Sequence, residues 1–291
     1  MMILSLDCYL TVSLYMLKQS VTMVSGTKSR KITVGNTKTQ KKLWEKTGNV
    51  ASCLYISNDL IIAGTHWGQL RVLSLDGKLE FERQFGCNSV TTLDVHATGR
   101  FVLTGYSDGT VRLIGSDLEL HIVDLEGPQH LTDSDSQFQD RAVKKVFFLP
   151  DKDLPGGCLA VCTCARRSIT VAVIEETGAV RHQQLQVDVH EISSFRQCSS
   201  DPYVLYASVK LGRKVVGVVK YKLCLDQFCG YRLEREHLME DLDVGSSGST
   251  FDMLILAAGR RFMFAAIQSD FVIFDLAKRR RFATIPNFLG R

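Results

Sequence analysis

Between Val50 and Leu113 the chain runs through the same short pattern twice, and this repetition limits its possible folds more than any other feature. Each copy has an apolar run, a polar turn, and a second apolar run ending in glycine (Gly64, Gly105). A tight turn with another glycine follows (Gly68, Gly109), then a run that alternates apolar and polar residues. The two leading glycines stand 41 positions apart. Short apolar or alternating runs bounded by Gly, Asp and Asn read as β-strands. Ser107-Asp108-Gly109 between two such runs is a hairpin signal, because Asp-Gly tolerates the positive φ of a tight turn.

A period near forty with several short strands per period predicts the blades of a β-propeller. One twisted four-stranded sheet cannot cover both its faces, so neighbours stacked around an axis bury each other. The N-terminal part fits the same template: Val12 falls on Val50, Gly26 on Gly64 and Ile32 on Leu70, with 38 positions between the two glycines. The template predicts blades at about 12–46, 49–85, 88–127, 141–187, 190–237 and 249–286, with residues 1–10 as a spare strand that closes the ring. The expected fold is therefore all-β, a single propeller over 1–291 with six or seven four-stranded blades. Residues 127–140, polar and aperiodic, read as an exposed loop, and 244–250 as a flexible connector.

Composition narrows the function classes. A formal charge of +4 is too small to argue for nucleic acid. Nine cysteines form no disulfide framework, and Asp7, Thr11, Ser13 and Lys18 interrupt the apolar opening, so neither a secretion signal nor a membrane span is read there. Reduced thiols in a cytoplasmic protein are expected. Zinc sites pair C-x2–4-C ligands in loops. Cys158, Cys162 and Cys164 form a C-x3-C-x-C cluster and Cys224 and Cys229 a C-x4-C pair, but Cys162 and Cys164 lie on a strand, two apart and on one face, so buried thiols and no metal are expected. The seven histidines are scattered, and no nucleophile elbow, zinc-protease helix or phosphate-binding glycine loop occurs. No cofactor and no catalytic residue is assigned, and the chain is expected not to be an enzyme. A propeller enzyme, gathering acids or histidines around a central channel, is one alternative.

The repeats resemble the WD40 class. The Gly-His dipeptide is absent, and the terminal Trp-Asp pair is represented by Phe274-Asp275 in FVIFDL. One segment is more specific: Ala63-Gly64-Thr65-His66-Trp67-Gly68, followed by an apolar strand and Asp76-Gly77. Residues 61–77 resemble the N-terminal propeller of the "light"/vacuolar-sorting subunits of the HOPS tethering complex. In that family the propeller precedes a long α-helical solenoid and takes part in vesicle tethering and fusion. The resemblance implies a subunit, as a fragment or short form, of a multiprotein complex in transport to the lysosome or vacuole. It would sit in the cytoplasm, peripheral on endosome or lysosome membranes.

In a propeller the turns between second and third strands share one rim. Here those turns carry Lys28, Ser29 and Arg30, His66 and Trp67, Tyr106 and Asp108, Arg166 and Arg167, Lys210 and Arg213, and Gln268 and Asp270. A basic rim with aromatics between the charges suits a protein-binding surface, since hot spots favour Trp, Tyr and Arg. The partner-binding candidates are Lys28, Arg30, His66, Trp67, Tyr106, Arg166, Arg167 and Arg213. Trp67 stands out, because a Trp on a two-residue turn has no obvious core to enter. The same charges could meet anionic lipid, which makes a phosphoinositide-binding propeller the second alternative. Lys278 to Arg281 and Gly259-Arg260-Arg261-Phe262 read as basic turns of the repeat.

Overall fold

A computed structural model describes residues 2–6, 10–17, 20–27, 31–35, 40–45, 51–56, 60–74, 78–115, 123–125, 142–150, 159–165, 168–175, 179–187, 191–210, 215–225, 230–243, 253–267 and 270–286. All regular structure among them is β-strand, joined antiparallel. The chain divides into two compact units, Met1–Phe148 and Leu149–Arg291.

In the first unit, β1 (Met2–Leu6), β2 (Leu10–Leu17), β3 (Ser20–Thr27), β4 (Lys31–Gly35) and β5 (Gln40–Glu45) make one five-stranded sheet in chain order. A second sheet holds β6 (Ala51–Ile56), β7 (Leu60–Thr65), β8 (Gln69–Ser74) and β9 (Leu79–Gln84). A third holds β10 (Val90–Val95), β11 (Phe101–Tyr106), β12 (Val111–Gly115) and β13 (Val123–Leu125), and β14 (Lys145–Phe148) ends the unit. The expected ring-closing role of residues 1–10 is not what is found. β1 pairs with β2 of its own sheet, Met2 opposite Leu14 and Leu6 opposite Leu10. A short connection favours this outcome, because adjacent antiparallel strands are the cheapest partners to bring together.

Sheet-to-sheet packing explains the repeated glycines. β6 packs against β10, and β10 against β14. A Cβ on Gly64 would lie 2.7 Å from Val90 Cγ1 and 2.6 Å from Cys53 Sγ. A Cβ on Gly105 would lie 2.6 Å from Val143 Cγ1. Val90 and Val143, both fully buried, each lead into the first strand of the following repeat and occupy the space the glycine leaves. Cys53, Ile62, Leu70, Phe85, Val90, Leu93, Tyr106 and Ile114 form the core between the second and third sheets. Hydrogen bonds add direction to this apolar contact. Thr91 Oγ1 donates to Val143 O at 2.6 Å, and Phe148 N donates to Asp94 Oδ2 at 2.9 Å.

Asp94 has a measurable consequence. Burial raises its carboxyl above the ordinary 3.8, against the opposing pull of Lys145 and the Phe148 hydrogen bond. A carboxyl that holds its proton more tightly when folded gives stability that is complete below the unfolded pKa and is lost as pH rises through the folded one. Asp94→Asn keeps an acceptor for Phe148 N and removes the titration. Urea melts across the acidic range should therefore show a shallower decline with rising pH for the variant than for the native chain.

The second unit repeats the scheme. β15 (Leu159–Cys164), β16 (Ser168–Ile174) and β17 (Val180–Gln186) lie side by side. β18 (Glu191–Cys198), β19 (Asp201–Lys210), β20 (Val215–Leu225) and β21 (Tyr231–Asp243) form a sheet, as do β22 (Met253–Ala258), β23 (Phe262–Ile267), β24 (Asp270–Asp275) and β25 (Arg280–Ile285). Cys162 and Cys164 are fully buried on β15. β18 packs on β22, and the join carries a buried serine pair. Ser194 Oγ lies 2.9 Å from Ser208 Oγ and accepts from Ile255 N at 2.9 Å. Gln183 spans the neighbouring join, donating to Tyr231 O and accepting from Tyr231 N. The Ser194 hydroxyl and the Gln183 amide thereby take hydrogen bonds across their joins.

Candidate functional site

The turn between β7 and β8 is held from several sides. Thr65, fully buried at the end of β7, accepts at Oγ1 from Trp67 N (3.3 Å) and Gln69 N (3.1 Å). Gly68 N donates to Thr65 O at 3.2 Å. Gly68 has φ of +76°, and a Cβ there would meet Gly86 O at 2.4 Å, so both conformation and space require glycine. The segment after β9 closes over the turn. Phe85 N donates to Gly68 O at 3.1 Å, and the Gln84 amide donates to Trp67 O (3.3 Å) and Gly86 O (3.0 Å). The Trp67 side chain is 58% exposed on this fixed turn.

The neighbouring turn, between β11 and β12, joins it through the linking segment. His66 Nδ1 lies 3.1 Å from Ser89 Oγ, and Ser89 O accepts from Ser107 N at 2.9 Å. Asn88 donates to Asp108 Oδ2 at 2.6 Å, while Asp108 Oδ1 accepts from Thr110 N at 3.0 Å. Two repeats thus present one continuous surface: His66 and Trp67, the exposed Cys87 and Asn88, then Ser107 and Asp108. It is a mixed polar surface around one large exposed aromatic.

The structure redistributes the sequence candidates. His66 and Trp67 are exposed, and His66 lies beside Ser89. Tyr106 departs from the expectation of a rim aromatic, being 1% exposed and part of the core between the second and third sheets. As the last residue of β11 it pairs with Val90 and points inward, with the Arg112 guanidinium 5.3 Å from its ring centre. Burial pushes its phenol above the ordinary value of 10.0, so it stays neutral. Lys28, Arg30, Arg166, Arg167 and Arg213 lie outside the described residues. The sequence reading missed Gln84, Asn88 and Ser89, which fix the two turns. Their partners are 17 to 23 positions away, and no local motif marks them. Among the described residues no group of three or more His, Cys, Asp or Glu could hold a metal.

No family model matches the chain, and no curated protein does. Among solved structures, the crystal structure of the computationally designed Ika8 protein is similar, with a TM-score of 0.58 and 13% identity over 98% of this chain and 89% of that one. At that identity the likeness speaks for the fold alone. The chain is all-β, built of multiple small antiparallel sheets, consistent with a propeller-like arrangement.

Proposed function

We propose that these sheets are the blades of one WD40-like propeller and that the chain is a non-catalytic platform for protein partners, docking them on the surface around Trp67. The observation that carries this reading is an exposed Trp on a turn already fixed by Thr65, Gln84 and Gly68. A pre-ordered turn loses little freedom on binding. Covering the exposed part of an indole contributes on the order of 2–3 kcal/mol. Trp is also the residue type most enriched at hot spots. The segment that builds this turn is the one whose sequence resembles the propellers of HOPS light subunits. On that basis the partners are subunits of an endosomal or lysosomal tethering complex, and the protein acts in vesicle-mediated transport from the cytoplasmic side of those membranes.

Affinity capture from native lysate, run beside Trp67→Ala, tests both parts. Tethering subunits recovered with the native chain and lost with the variant are the expected result. An unrelated complex that depends on Trp67 would leave the platform and remove the trafficking assignment. Partners that ignore the substitution would remove the site.

A further inference from the structure

The last sheet gathers cations at one end. The turn between β22 and β23 carries Arg260 and Arg261, and the turn between β24 and β25 leads through Lys278 and Arg279 into Arg280 and Arg281. Phe262 pairs with Asp275, and Leu276 N donates to Arg261 O at 2.7 Å, so the two turns are neighbours. All six cations are exposed. Among the described residues two carboxylates face them. Asp275 is 2% exposed and caps its own turn, accepting from Ala277 N and Lys278 N at 3.1 Å each, with Arg261 Nε at 3.8 Å. Glu236 takes Arg279 at 2.8 Å and Lys220 at 3.1 Å. Arg260, Lys278, Arg280 and Arg281 make no ion pair among the described residues. Arg279 has φ of +50°, the left-handed region that a non-glycine residue seldom enters, which fixes the turn's path. Beside these charges stands Phe282, 61% exposed. The pairing of β24 with β25 slips at this point, Phe274 opposite Arg281 and Ile273 opposite Ala283, so Phe282 is the extra residue of a bulge. Bulges re-aim side chains.

We propose that this end of the last sheet docks on an anionic lipid surface, the two basic turns meeting headgroups and Phe282 entering the interface. Four long cationic side chains without fixed mates suit a fluid array of headgroups, which demands no geometric match. A carboxylate-bearing protein partner would be met by guanidinium groups held for bidentate contact. An exposed aromatic beside the cations adds the apolar contact that a membrane interface offers.

The test is co-sedimentation of the full chain with vesicles of phosphatidylcholine and phosphatidylserine, beside vesicles of phosphatidylcholine alone. Binding to the anionic vesicles only is expected, weakening with salt. Arg280→Ala with Arg281→Ala should weaken it about thirty-fold, given the attraction each cation feels near such a surface. Phe282→Ser should weaken it as well. All three residues are exposed, Phe282 resting on the Phe262 ring with centroids 5.5 Å apart, so melting temperature should move little. Arg100→Ala with Lys144→Ala, also exposed, removes the same charge elsewhere and should leave binding as it was. Equal loss in that control pair, equal binding to neutral vesicles, native-like binding by Phe282→Ser, or capture of an acidic peptide without vesicle binding would overturn the proposal. None of these outcomes depends on Trp67, so the partner surface stands or falls separately.

Discussion

Phe274→Ala is expected to lower the stability of the second unit by about 3–5 kcal/mol. Phe274 is fully buried on β24 within a core that includes Tyr206, Val218, Ile255, Met263 and Val272. That core draws on two sheets, so emptying it removes contacts from both. Truncation loses the transfer free energy of the ring and leaves a cavity that flanking strands, tied by ladder hydrogen bonds, cannot collapse into. Phe274→Leu refills much of the volume and should cost about 1 kcal/mol. Urea denaturation of the three chains checks the order. A loss below about 1 kcal/mol for the alanine variant would mean that this core does not hold the last sheet to its neighbour.

Gly64→Ala and Gly105→Ala should each cost about 1–3 kcal/mol through overpacking. The new methyl would meet the side chain of Val90 or Val143, and a fully buried β-branched residue has few rotamers to retreat into. Substituting the valine removes the Cγ1 contact and relieves part of the clash, Cys53 Sγ at 2.6 Å and the Cβ of residue 90 at 2.8 Å remaining. Val90→Ala in the Gly64→Ala background is expected to cost less than the sum of the two single changes, and the double-mutant cycle isolates that coupling. Additive losses would contradict the packing of the second sheet on the third. Gly99 provides a contrast within the same unit, since a Cβ there meets nothing within 4 Å and its cost would come only from φ of +72°.

These glycines were legible in the sequence because a steric requirement repeats with the sheet. At the two places where Val90 and Val143 press on the preceding sheet the same residue type returns, and a spacing of 41 positions exposes it. Trp67 was legible for the opposite reason: a large aromatic on a two-residue turn has nowhere to be buried. Tyr106 was misplaced by one step of strand register. It precedes the turn, belongs to β11, and faces inward, a choice made by Val90 and Arg112 and not by its neighbours in sequence. β1 was misplaced because either end of a chain can offer a spare strand, and which edge it joins depends on tertiary pairing. The clamps at Gln84, Asn88 and Ser89 left no trace, since hydrogen bonds between distant polar residues impose no periodicity. The basic end of the last sheet was visible as two separate turns, and only the pairing of Phe262 with Asp275 brings them together.

The most direct test of the partner surface is a calorimetric titration of the captured partner into the native chain and into Trp67→Ala. A loss of about thirty-fold in Kd at unchanged melting temperature is predicted, the scale of a hot-spot residue. Equal affinities for the two chains would contradict the account, because an exposed indole on a fixed turn that adds nothing to binding is not the docking point.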